Sequence, residues 1–194
     1  MQTEQTFTAI QTTKEIMDLF ANYGNNDYDG EPVTQTSHMV QCAMLAMGAN
    51  ADQELVLGAF LHDIGHLIGH NQKAADMHGL GAVNHEAIGA AYLQKHHFGE
   101  RVCAVVEGHV AAKRYLVATD KTYEEKLSPA SRETLHWQGG AMNEEEIKIF
   151  LQQPYYKEII QVRLWDEAAK DYKAVLLPMS LFKNFIEDYL SHRN

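Results

Sequence analysis

Residues 59–70 read AFLHDIGHLIGH, an apolar run that carries three histidines and an aspartate. A run this apolar belongs in an interior, where an unpartnered ionisable group costs on the order of several kcal/mol. Whatever this chain folds into must therefore bring compensating groups to His62, Asp63 and His66 from elsewhere. Candidates occur in order along the sequence: His38, then His62-Asp63, then His85, His109 and Asp166.

Apolar residues recur three or four apart almost everywhere else, the spacing of one helix face. Ile10, Ile16, Leu19, Phe20 and Tyr23 mark a helix over 10–23, and GNNDYDGEP (24–32) is a turn-rich loop. Thr34 is expected to cap a helix through Met47, and a third helix to run from about Asp52 to Leu67. An irregular loop is expected over 68–83. Asn84 then caps HEAIGAAYLQKHHF, and Gly99 separates it from a long helix around VCAVVEGHVAAKRYLV. Ser128 and Pro129 start a short helix that Gly139 and Gly140 end. Asn143 and three glutamates open another, and Pro154 and Pro178 begin the last two. With no alternating segment, repeat or linker, the reading is all-α, one domain over 1–194, a helical bundle whose ligand-bearing helices span about 34–170.

The net charge of -10 argues against nucleic acid and anionic membranes as partners, though not against a small anion. No apolar run approaches membrane-spanning length, and the first residues lack a signal-peptide pattern. Cys42 and Cys103 lie in apolar helical patterns and read as reduced thiols, which together points to a cytoplasmic chain. Oligomeric state is not legible.

Each of the ordered histidines and acids, taken singly, is most simply a hydrogen-bonded core histidine or a solvated helical acid. Jointly they are a metal site, because side chains from facing helices of a bundle can converge on one point. Four imidazoles and two carboxylates suit iron, manganese or zinc. His62 and Asp63, about 100° apart on a helix, can share a site only if metals lie between them, and a carboxylate can bridge two ions. His66, one turn on from His62, shares its face. His70, His78, His96, His97, His136 and His192 read as surface or loop residues.

The order H…HD…H…H…D resembles the HD-domain superfamily in its dinuclear form. YDGEPVTQTSHMVQCA, LHDIGHL, NHEAIGAAYL, EGHVAAKRYL, LSPASRETLHWQGG and RLWDEAAK are similar to its mixed-valent diiron oxygenases, nearest to the glycine-forming enzymes of phosphonate catabolism. That resemblance implies two iron ions, Fe(II)/Fe(III), with O2 as co-substrate. It makes His38, His62, Asp63 and Asp166 ligands of one iron, and His85 and His109 ligands of the other with Asp63 bridging. It also implies oxidative cleavage of the C–P bond of a small organophosphonate such as (R)-2-amino-1-hydroxyethylphosphonate, giving glycine and inorganic phosphate. Substrate contacts fall to Lys113, Ser131, Thr134, Gln138 and Arg163. Tyr28 and Glu31 are implied to form a lid over the metals, with His66 beside the reacting centre.

Other readings of these residues stay open. Lys113 and Arg163 share helix faces with His109 and Asp166, yet alone they are surface cations whose stems cover apolar area. The ligands equally suit a dinuclear phosphohydrolase of phosphate esters, and more distantly a non-catalytic sensor. Within the oxygenase reading, trimethylammonium and hydroxymethylphosphonate analogues are alternative substrates.

Overall fold

A computed structural model describes residues 2–28, 30–72 and 81–193. They form α1 (Gln2–Tyr23), α2 (Gln35–Gly48), α3 (Gln53–Leu61), α4 (Ile64–Gln72), α5 (His85–Lys95), α6 (Glu100–Thr119), α7 (Lys121–Lys126), α8 (Pro129–Trp137), α9 (Glu144–Leu151), α10 (Tyr156–Ala168) and α11 (Met179–Ser191). Among the described residues the only β pairing is a single antiparallel bridge, Asp27 to Thr34. The all-α expectation holds, and no helix is long and apolar enough to cross a membrane.

Local chemistry starts most of these helices where expected. Thr34 accepts the Ser37 amide, Asp52 the Leu55 amide and Ser128 the Ser131 amide, each using a side-chain oxygen on an orphan N–H of a first turn. Asn143 and Glu146 form a reciprocal capping box. Gly139 and Gly140, at φ +94° and +71°, close α8 as their sequence suggests.

Several expectations are corrected. The helix drawn from Asp52 to Leu67 is two, α3 and α4, broken at His62-Asp63. Of the loop expected over 68–83, residues 68–72 belong to α4, and residues 73–80, His78 among them, lie outside the described residues. Asn84 caps nothing: it sits in the left-handed region, at φ 56°, with no side-chain hydrogen bond. α10 starts at Tyr156, after Tyr155 at φ 62°, rather than at Pro154. α1 begins well before residue 10, and Ile10, assigned to its apolar face, is 48% exposed. α7 was not anticipated. His96 is no plain surface residue, since it is half-buried with Nδ1 3.3 Å from Thr12 Oγ1. Cys42 is buried, whereas Cys103 is only partly so; both are free thiols.

α6 is the central post, with α3, α5 and α10 packed around it and α2 packed on α3 and α10. Close helix approach decides this arrangement. A Cβ on Gly65 would lie 1.8 Å from the His85 carbonyl oxygen, so α4 and α5 touch backbone to backbone. That contact carries His85 to Asp63. α3 contributes an unbroken buried stretch, Leu55 to Leu61, which delivers the His62-Asp63 break into the interior.

Candidate metal centre

His38 comes from α2, His62 and Asp63 from the α3–α4 break, His85 from α5, His109 from α6 and Asp166 from α10. None is more than 4% exposed. They form two nests sharing Asp63. In the first, His38 Nε2 lies 3.1 Å from His62 Nε2, 3.2 Å from Asp166 Oδ1 and 3.5 Å from Asp63 Oδ2. His62 Nε2 lies 3.3 Å from the same Asp63 oxygen. In the second, His85 Nε2 and His109 Nε2 are 3.0 Å apart, each 3.3 Å from Asp63 Oδ1. One carboxylate thus offers one oxygen to each nest. The helix break permits it, by releasing His62 and Asp63 from the divergence of an ideal helix.

Backbone carbonyls decide which ring nitrogens are bare. His38 Nδ1 donates to the Ala169 carbonyl at 3.0 Å, His62 Nδ1 to Ala59 at 2.8 Å and His109 Nδ1 to Val106 at 2.7 Å. A carbonyl only accepts, so each neutral ring carries its proton on Nδ1 and turns an Nε2 lone pair inward. In the first nest, lone pairs facing one another at 3.1 Å repel unless a proton or metal cation sits among them; in the second, His85 has no carbonyl on Nδ1, and its Nε2 lies 3.0 Å from the bare Nε2 of His109. Asp63 Oδ2 and Asp166 Oδ1 are buried with no hydrogen-bond partner, the condition of oxygens that await a metal. The donor set therefore fits two divalent or trivalent ions of borderline hardness.

The electrostatics agree. Burial works to protonate Asp63, but the His62, His109 and His38 rings hold its carboxyl well below the usual range. Burial works the same way on Asp166, and Arg163 with His38 overcomes it. For His62, burial is outweighed by the adjacent Asp63 charge, and its pKa stands well above the ordinary value. These groups attract positive charge, whether protons or metal.

His66 plays a different part. Asp63, His66 and His85 can bring one ligand atom each within 4.8 Å of one another. But the His66 Nδ1 lone pair accepts the Ala82 amide at 3.1 Å, so in the neutral ring Nε2 carries hydrogen and cannot coordinate. Burial, reinforced by the neighbouring His85, pushes its pKa well below normal and keeps it neutral. Its ring stacks on His85 with centroids 3.9 Å apart. His109 is the better second imidazole for that nest.

A cavity opens onto the second nest. Its lining includes Asp63, His85 and His109, together with His66, Tyr28, Glu31, Ser131, Thr134, Gln138 and Arg163. His38, His62 and Asp166 do not line it. Tyr28 stacks on His38, centroids 3.9 Å apart, and burial followed by the Asp63 and Asp166 charges raises its phenol pKa well above normal. Its loop is pinned rather than loose: the Tyr28 amide donates to Val33 at 2.9 Å, and the Gln35 amide to Asn26 at 3.0 Å.

The two cations are not at the surface. Lys113 is 3% and Arg163 4% exposed. Lys113 Nζ donates to Thr134 Oγ1 at 2.9 Å. Burial, with Arg163 adding repulsion, pushes its pKa from 10.5 down to about 7 against the pull of Asp166 and Glu167. Arg163 spends its donors inside the protein, on Asp166, on Glu167 and, at 2.7 Å, on the Tyr123 hydroxyl. Gln138 contributes a buried Oε1 without a partner.

Three partners escaped the reading of the sequence: Glu167, Tyr123 and Lys170. Glu167 is one turn beyond Arg163, a spacing that could have flagged it. Lys170 lies past the end of α10, where helical spacing says nothing, and Tyr123 arrives on the unanticipated α7.

Comparison with known proteins agrees with this geometry. Residues 36–150 match the HD domain family. The chain is 38% identical over 182 residues to an uncharacterized protein of Acanthamoeba polyphaga mimivirus, covering 94% of this chain and 83% of that one. It is 41% identical over 152 residues to a 1-hydroxy-2-(trimethylamino)ethylphosphonate dioxygenase (glycine-betaine-forming) of Leisingera caerulea, covering 78% and 76%. Against a hydroxymethylphosphonate dioxygenase of Gimesia maris it is 34% identical over 186 residues, covering 95% and 91%.

Proposed function

The chain belongs to the HD domain family, and from that premise we propose that it is a diiron oxygenase of organophosphonate breakdown. It uses O2 to cleave the C–P bond of a small 1-hydroxyphosphonate such as (R)-2-amino-1-hydroxyethylphosphonate, releasing glycine and inorganic phosphate. The observation that carries this reading is the pair of buried histidine nests that share Asp63, one carboxylate oxygen toward each, with a donor-lined cavity on the second. The relatives named for trimethylamino and hydroxymethyl substrates support the reaction class.

His38, His62, Asp63 and Asp166 would hold one iron, and His85, His109 and the shared Asp63 would hold the other. A bound Fe(II)/Fe(III) pair supplies the one-electron chemistry that O2 requires and a Lewis acid for substrate oxygens. The protein does the placing. Ser131, Thr134 and Gln138 on α8 and its C-terminal cap offer hydrogen bonds to phosphonate oxygens, and the His66 N–H faces the same space. Lys113 gains a full charge when an anion arrives, because an anion nearby reverses the effect of burial. Arg163 adds positive field while keeping Asp166 in place. Tyr28 covers the His38 side, and Glu31 presents a carboxylate to the substrate's amino end.

The test is phosphate release from a panel of hydroxyphosphonates with and without O2, alongside metal analysis. Release that needs O2 and iron is expected. Phosphate freed from a phosphate ester without O2 would instead identify a phosphohydrolase, and full activity with zinc alone would overturn the oxygenase reading.

A further inference from the structure

Side chains of alternating charge run from the first nest out to the loop over the cavity: Asp166, Arg163, Glu167, Lys170, Glu31. Arg163 pairs with Asp166 through Nη1 and with Glu167 through Nη2. Lys170 Nζ lies 2.8 Å from Glu167 Oε1 and 3.0 Å from Glu31 Oε1. It also donates to Ser131 Oγ at 3.1 Å and Ser128 Oγ at 3.2 Å. The Ser128 hydroxyl donates in turn to Glu31 Oε1.

Glu31 and Ser131 line the cavity; Lys170 does not line it but contacts both. Both contacts of Glu31 fall on Oε1; no hydrogen bond reaches Oε2 among the described residues. The Lys170 and Glu31 side chains are 14% and 10% exposed, so solvent screens their attraction little. A cationic ligand end entering the cavity therefore meets a carboxylate whose charge Lys170 offsets in part. Three carboxylates and two cations still leave one negative charge along the row. Without Lys170, Glu31 would keep only the Ser128 hydroxyl, and Glu167 would share Arg163 with Asp166. A cationic ligand would then supply the missing charge, and a neutral one would leave it missing.

We infer that Lys170 is a specificity-determining residue: by offsetting part of the Glu31 charge without lining the cavity, it sets how strongly a cationic tail is preferred over an uncharged one. This rests on the reading of the site as a phosphonate site. Lys170 acts through Glu31 as a positioning residue and touches no substrate.

The experiment compares the metal-loaded wild type with Lys170→Met and Lys170→Arg. Calorimetric titration with 2-aminoethylphosphonate and ethylphosphonate isolates the ammonium group, since the two differ in nothing else. Initial rates give the kcat/KM ratio of 2-amino-1-hydroxyethylphosphonate to hydroxymethylphosphonate. In Lys170→Met both ratios are expected to move toward the amine by about tenfold, the scale of one charge-assisted contact. Lys170→Arg keeps the wild-type ratios, and in a Glu31→Gln background the shift disappears. A purely structural lysine would depress both ligands alike, so unchanged ratios overturn the inference. If Lys170→Met lacks a cooperative thermal transition, Lys170→Gln carries the same comparison. Should the wild type turn over no hydroxyphosphonate, the functional reading falls while the calorimetric ratio still judges Lys170. A wild type that binds neither phosphonate overturns the inference as well.

Discussion

The two nests use the same bridging carboxylate but are built differently. The first has a carboxylate of its own in Asp166, both rings held by backbone carbonyls, and Tyr28 stacked over its outer face. The second has only Asp63 Oδ1, and only His109 is held by a carbonyl. His85 Nδ1 has no hydrogen-bond partner, and its closest charge is Glu86 Oε2 at 3.6 Å. The second nest alone meets the cavity. A sealed site with rigid ligands keeps its ion, whereas an open one with fewer protein ligands leaves room for other molecules.

Removing the shared ligand is the most severe way to break the comparison. Asp63→Ala should take metal content from about two ions per chain to well under one, because each nest loses an oxygen. Elemental analysis of the purified variant measures this. Loss of only one metal would show that the nests do not depend equally on the bridge.

Removing one ligand from each nest then tests the difference directly. His85→Ala should release the second ion and leave the first, while His38→Ala releases the first. Activity should vanish in both, and only the retained stoichiometry should follow the nest. An outer-sphere change is gentler: Glu86→Gln should weaken the second metal by about tenfold and leave the first unaffected. Competition with a chelator, followed by metal analysis, separates the two.

Lys113 sharpens the comparison from the ligand side. Its pKa falls from 10.5 in the unfolded chain to about 7 in the fold, so the unfolded state binds more protons between those values. Stability therefore rises with pH across that window, and the cost of burying the charge is greatest below it. Lys113→Met should raise the Tm of the metal-free protein by about 5 °C or more near pH 6, and by less near pH 10. The same substitution should raise KM for a phosphonate about tenfold, since the charge that costs stability is what meets the anion. A Tm gain independent of pH would point to better packing instead.

The lid gives the smallest effect. Tyr28→Phe keeps the stack on His38 and removes the hydroxyl, so metal content and Tm should change little. O2 consumption without substrate should rise by about twofold or more, a modest change for loss of one protecting group. Equal consumption in both proteins would make Tyr28 a plain packing residue.

Much of this protein was legible in its sequence because much of it is local. Helix spacing and caps at Thr34, Asp52, Ser128 and Asn143 act within one turn, so the all-α architecture follows from neighbours three or four residues apart. The six metal-binding candidates were legible for another reason: ionisable groups in apolar helices need partners, and these recur in one order along the chain. The break at His62-Asp63, the sealing of one nest and the exposure of the other were not. Nor were the fates of the cations. Arg163 lines the cavity, yet its side chain also donates to Asp166, Glu167 and Tyr123, partners that its spacing to Asp166 alone does not announce. Lys170 reaches Glu31, and Ala169 orients His38, across about 130 residues of chain. Such contacts depend on how closely α4 meets α5 and where α10 ends against α2. Periodicity records which face of a helix is buried; only packing decides what that face meets, because pairing energy depends on distances that no local spacing encodes.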